Sequence, residues 1–222
     1  MVIKILCNLA THCHAAKLYI TTGHAFCKCY DIRFDIKVFK CKHLTCSAPS
    51  SHNFIADANE NAIKIARMYT GRNKVFSRYR SYHGSSFGAG NLTGEPRRYP
   101  LEPGIPGFVK FFDPYVYREP IEFASEEDAT KYYLAKLREQ IIYEGADRVA
   151  AIVLETITGS NGVIIPPKGY LPGVRKICDE FGIVMICDEV MAGWCRTGKM
   201  FAFENFDIKP DIVTLSKIFA SL

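Results

Sequence analysis

The chain is poor in the features that would give its class away at once. No apolar run reaches the roughly eighteen residues that a membrane-crossing helix needs, so no span is expected. No GxGxxG follows a candidate strand, which disfavours a dinucleotide site, and neither a GxSxG elbow nor an HExxH helix occurs. No paired CxxC exists, although the chain holds 9 cysteines. A composition of 48% hydrophobic and 23% charged residues excludes a disordered chain, which would be apolar-poor and strongly charged.

What is present is unevenly distributed. Six cysteines (Cys7, Cys13, Cys27, Cys29, Cys41, Cys46) and five of the 6 histidines lie before residue 53, together with all of the net charge of +5. The remainder is neutral, so no basic nucleic-acid face is expected there. Cys27 and Cys29 are one residue apart and Cys41 and Cys46 four, which are poor zinc spacings. The first residues make a poor export signal, because Lys4 and Asn8 interrupt the apolar stretch. Residues 1–52 are therefore read as a Cys/His-rich segment without interpretable function and poorly ordered, and residues 53–222 as the body of the protein.

In the body, helical spacing and stop signals recur. Ala58, Ala62, Ile65/Ala66 and Tyr69 predict a helix with Asp57 as its cap, a Glu60–Lys64 pair on its surface and Gly71 at its end. Ser125 and Asp128 have capping-box spacing ahead of a face of Ala129, Tyr133, Leu137 and Ile141, closed by Gly145. A third helix is predicted over 171–181, with Val174, Ile177 and Cys178 inward and Gly182 after it. Between them lie short unbroken apolar runs at 149–154, 183–187 and 212–215, with weaker ones at 75–79 and 109–112. Runs apolar on both faces suit strands covered on each side by helices. The fold class expected is α/β, a mostly parallel sheet with helices on both faces.

Each of the three strongest runs is followed closely by an ionisable residue: Glu155, Asp188 and Lys217. Strand ends carry polar residues for many reasons, since they emerge into solvent. In open α/β sheets, however, ligands bind beyond the carboxyl ends of the strands, so two carboxylates and one amine are expected to converge. An imine-forming lysine and an acid opposite a heterocyclic nitrogen are the two contributions that pyridoxal phosphate requires of a protein.

Seven segments carry a family resemblance. Residues 57–67 (DANENAIKIAR), 69–72 (YTGR), 81–84 (SYHG), 150–159 (AAIVLETITG), 161–173 (NGVIIPPKGYLPG), 187–196 (CDEVMAGWCR) and 210–217 (PDIVTLSK) resemble, in this order, the class III pyridoxal-phosphate-dependent aminotransferases. The resemblance covers about residues 53–217 and is most similar to the taurine–pyruvate and other ω-amino-acid–pyruvate enzymes. It implies a partial large domain of a fold-type-I transferase, with pyridoxal 5'-phosphate as cofactor. The implied reaction moves an amino group from an amine or ω-amino acid to a 2-oxo acid such as pyruvate. A homodimer, small-molecule substrates and a cytoplasmic location, with the mitochondrion as the other option, go with it.

The resemblance also implies roles. Lys217 matches the lysine that holds the cofactor through an imine and then shuttles a proton. Asp188 matches the partner of the pyridine nitrogen, Val190 the apolar residue against one ring face, and Tyr82 the aromatic on the other. Gly84 allows close backbone approach, His83 bonds Asp188, and Glu155 resembles a carboxylate that pairs with an arginine further along the chain. The family's small-residue stretch before residue 57 is replaced by Asn53, Phe54, Ile55 and Ala56, and a bulky pair is not expected to lie flat against a phosphate. Both ends of the resemblance stop abruptly, which predicts a fragmentary enzyme whose residues 1–52 are foreign to the fold. Two rivals follow: a non-catalytic remnant that pairs with a full-length aminotransferase subunit, and a decarboxylase or aminomutase on the same fold.

Overall fold

The computed structural model describes residues 54–215 and the backbone of two further strands, β1 (Ala16–Thr21) and β2 (Ala25–Cys29). In chain order the body contains α1 (Phe54–Thr70), β3 (Lys74–Arg78), α2 (Phe87–Leu92), β4 (Phe108–Phe111) and α3 (Glu126–Tyr143). These are followed by β5 (Val149–Glu155), α4 (Tyr170–Phe181), β6 (Val184–Asp188) and β7 (Ile212–Leu215). The strands form one sheet in the order β2-β1-β7-β6-β5-β3-β4. Every neighbouring pair is parallel except the β1–β2 hairpin. The expected α/β class with a mostly parallel sheet is what the chain forms. Of the segment 1–52, only the backbone of this hairpin is described. It extends the sheet along β7, with Leu18 opposite Ile212 and Ile20 opposite Thr214.

The period of two along each strand sorts the core into two layers. Ala151 and Val153 of β5, Val184 and Ile186 of β6 and Ile212 of β7 pack with Ala62, Ile63 and Ala66 of α1. The alternate residues Ile152, Leu154, Met185, Cys187, Val213 and Leu215 pack with α3 and α4 through Tyr133, Leu137, Ile141, Val174 and Cys178. Helices thus cover both faces, and β5 and β6 are buried along their whole length.

Helix ends follow the local chemistry in two cases and depart from it in one. Ser125 caps α3 by accepting from the Asp128 N–H, and Gly182 closes α4 in the left-handed conformation at φ 64°. Helix α1, however, begins at Phe54, so Asp57 lies inside the first turn rather than before it. Its inward stripe is also rotated from the expectation. Ile65 and Tyr69 are exposed, and Asn59 and Ile63 are buried in their place. Glu60 does not serve a surface pair. Its Oε1 accepts from Ser86 Oγ and from the Gly88 and Ala89 N–H groups, which satisfies the start of α2.

Candidate functional site

Strand parity determines which side chains meet. In β6, Asp188 follows Val184 and Ile186 at even spacing and therefore emerges on the α1 side. By the same count Glu155 in β5 and Thr214 in β7 emerge on that side. Asp188 lies directly opposite Glu155 on one neighbour and Thr214 on the other. The carboxyl ends of three adjacent strands thus face the first turns of α1, with residues 81–84 entering from the end of β3.

Asp188 is the centre of this arrangement. It is 2% exposed, and Oδ2 accepts from Asn59 Nδ2 at 2.9 Å and lies 2.8 Å from His83 Nδ1. Oδ1 accepts the Val190 N–H at 3.1 Å. His83 is fully buried, and its backbone N–H donates to Thr93 Oγ1 at 3.0 Å. His83 Nε2 has no hydrogen-bond partner among the described residues. Among them, no lysine or arginine pairs with Asp188. A carboxylate buried without a cation is costly. The arrangement therefore suits a ligand that brings a positively charged N–H.

Glu155 occupies the neighbouring strand end and is also buried. Its Oε1 accepts the Tyr82 N–H at 3.3 Å and its Oε2 the Gly159 N–H at 2.8 Å. Burial pushes its carboxyl above the ordinary value, with His83 opposing and Asp188 adding to the rise. Among the described residues no arginine side chain pairs with the Glu155 carboxylate, which is held by these two backbone donors. Arg78 touches Glu155 only through the backbone, donating to its carbonyl oxygen at 3.1 Å.

Tyr82 is half-buried, and the Arg97 guanidinium lies 3.9 Å from its ring centroid. Gly84 has φ +127°, and a Cβ there would fall 2.8 Å from Ala56 Cβ in the first turn of α1. Val190 is half-buried and meets Asp188 through its backbone. Lys217 lies outside the described residues; it is three positions after Thr214 in the sequence.

Asn59 and Thr214 were not singled out by sequence reasoning. Thr214 Oγ1 donates to Asn59 Oδ1 at 2.8 Å, and Asn59 Nδ2 also donates to the His83 carbonyl at 2.8 Å. A signal was present for both: Asn59 is an amide one turn before the apolar pair Ala62 and Ile63, and Thr214 is a hydroxyl inside an otherwise apolar strand. Glu189 is a third buried acid nearby, with Thr156 Oγ1 and the Ala202 and Phe203 N–H groups as donors.

Known proteins resemble this chain over about three quarters of its length. A family model described as aminotransferase class-III matches residues 38–221. The taurine–pyruvate aminotransferase of Bilophila wadsworthia (strain 3_1_6) is 36% identical over 173 residues, covering 75% of this chain and 38% of that protein. A leucine/methionine racemase of Thermococcus litoralis is 40% identical over 168 residues, covering 73% of this chain and 37% of that protein. Among solved structures, the taurine:2-oxoglutarate aminotransferase of Bifidobacterium kashiwanohense, in complex with PLP and glutamate, superposes with a TM-score of 0.70 at 57% identity. That match covers 72% of this chain and 37% of the other. The chain thus spans 37–38% of the length of these relatives.

Proposed function

This chain belongs to the aminotransferase class-III family, and on that premise we propose that it carries the cofactor-binding floor of a pyridoxal-phosphate-dependent transaminase. The amino donor is an amine or ω-amino acid and the acceptor a 2-oxo acid such as pyruvate. The observation that carries this reading is the buried Asp188 carboxylate, held by three donors and paired with no lysine or arginine among the described residues. A protonated pyridine nitrogen is the cation that such a group fits.

Pyridoxal phosphate, when bound, supplies the electron sink for a carbanion formed at the donor carbon. The chain's own residues have separate tasks. Asp188 holds a proton on the ring nitrogen. The Val190 N–H orients Asp188 through Oδ1, and the Val190 side chain would meet one ring face. Glu155 pins the backbone of Tyr82 and Gly159, which sets where the Tyr82 ring stands. Gly84 lets the first turn of α1 approach residues 81–84 closely. Lys217 supplies the ε-amine that binds the cofactor and later carries the proton at the donor carbon. A homodimer in a reducing, cytoplasmic setting is part of the same proposal.

The test is cofactor trapping. The full chain, incubated with millimolar pyridoxal phosphate and reduced with borohydride, is expected to show a visible band that disappears and a peptide labelled at Lys217. No band, with the chain folded, would overturn this reading and favour a non-catalytic chain that pairs with a complete subunit. Asp188→Asn should lower kcat/KM by roughly 10²–10⁴-fold, the equivalent of about 3–5 kcal/mol for one side of a buried ion pair. Product analysis with and without pyruvate separates transamination from the chemistry of a racemase or decarboxylase, because only transamination consumes the oxo acid.

A further inference from the structure

We propose that Asn59 and Thr214 act together as positioning residues that hold the Asp188 carboxylate in place and aimed at a cationic ring nitrogen. This inference rests on the reading above. It begins with the direction of each hydrogen bond. Asn59 is 1% exposed and Thr214 fully buried, so water does not compete for either.

Thr214 Oγ1 donates to Asn59 Oδ1 at 2.8 Å, a direction set by the two acceptors on the other side of the amide. With Oδ1 turned to Thr214, both hydrogens of Nδ2 face the other side. One goes to the His83 carbonyl at 2.8 Å and one to Asp188 Oδ2 at 2.9 Å. A flipped amide would set Oδ1 against two further acceptors in a dry site, so the orientation is enforced. Asn59 makes all three bonds with no capacity wasted.

The consequences fall on Asp188 and His83. Oδ2 receives the Asn59 amide and the His83 ring, and Oδ1 receives the Val190 N–H, so the carboxylate plane cannot rotate. Because Asp188 is an acceptor, His83 Nδ1 carries the hydrogen, and Nε2 is left without a partner among the described residues. The other acids facing the pair are Glu155 from β5 and Glu189 from β6; α1 contributes the neutral Asn59, and β7 the neutral Thr214. Thr214 is also the cross-strand partner of Asp188, and its carbonyl accepts the Glu189 N–H at 3.0 Å. The clamp therefore ties α1, β6 and β7 together three positions before Lys217 in the sequence.

Two arms test the clamp on the full 222-residue chain. In the first, pyridoxal phosphate uptake is titrated by visible absorbance. Thr214→Val should weaken uptake about tenfold, the equivalent of one hydrogen bond feeding a charged group, and Thr214→Ser should return to within about twofold of the unaltered chain. In the second, the ring nitrogens of His83 are followed by ¹⁵N NMR without cofactor. Asn59→Leu should move the His83 Nδ1 signal, because the Asp188 Oδ2 that His83 shares with Asn59 then loses its other donor. If that variant does not fold, the same signals are compared between Thr214→Val and Thr214→Ser.

The clamp is overturned if the valine and serine variants take up cofactor alike, or if the His83 signals do not move. A role confined to packing would lower the melting temperature and leave those signals in place. Should the unaltered chain take up no cofactor, the transaminase reading fails by itself, and the cofactor-free His83 spectrum still decides whether the clamp exists.

Discussion

Gly84 shows how one missing side chain supports a site. Its φ of +127° lies in a region that other residues rarely adopt, and an added Cβ would fall 2.8 Å from Ala56 Cβ and 2.9 Å from Ala56 Cα. The neighbour is the first turn of a 17-residue helix and cannot yield by a rotamer change. Gly84→Ala is expected to cost about 1–3 kcal/mol of stability through overpacking and to displace the α1 N-terminus from residues 81–84. Chemical denaturation and cofactor titration should therefore move together in this variant; an unchanged unfolding midpoint would show that α1 accommodates the methyl group. Glu155 illustrates the opposite case, a charged side chain kept in place by two backbone N–H groups without any basic partner among the described residues.

At the level of elements, what decides structure is whether an element completes its own hydrogen bonds. Helix α3 does so locally. Ser125 Oγ accepts the Asp128 N–H at 3.1 Å and donates to Asp128 Oδ2 at 2.8 Å, and Ala129, Tyr133, Leu137 and Ile141 lie buried along one stripe. Ser125→Ala is expected to remove about 1 kcal/mol of stability, measurable as a lower urea midpoint with an unchanged slope. Helix α2 does not complete itself. Its six residues, FGAGNL, include two glycines and no periodic face, and its first N–H groups are satisfied by Glu60 reaching across from α1. A helix held by a side chain 26–29 residues earlier leaves no local signal in its own sequence.

Over the whole molecule, buried ionisable groups set how stability responds to pH. Burial raises the carboxyls of Asp113, Glu155 and Glu189 above their ordinary values. The folded chain then binds more protons than the unfolded one between the ordinary and the raised values, so stability falls as pH rises through that window. Lys110 acts in the other direction. Burial, with Arg98 adding repulsion, pushes its ammonium down to about 7. Above that value the unfolded chain holds the extra proton, and stability rises until the ordinary lysine range is reached. Urea unfolding of the cofactor-free chain across pH should show a decline on leaving the carboxylate range and a recovery on the alkaline side. Lys110→Met should abolish the recovery; a recovery of undiminished size in that variant would contradict the assignment.

The amino-acid order was sufficient for whatever depends on a neighbour a few residues away. The buried runs of β5, β6 and β7, the cap at Ser125, the stop at Gly182 and the acids at 155 and 188 were all legible, because period, capping and strand ends are local properties. The side of the sheet on which those acids emerge, the α1 stripe that carries Asn59 inward in place of Tyr69, and the recruitment of Glu60 to α2 were settled by packing. Asn59 and Asp188 are 129 residues apart and meet only because the sheet brings the ends of its strands under one helix. A hydrogen bond over such a separation depends on the three-dimensional register of elements, which no local pattern encodes.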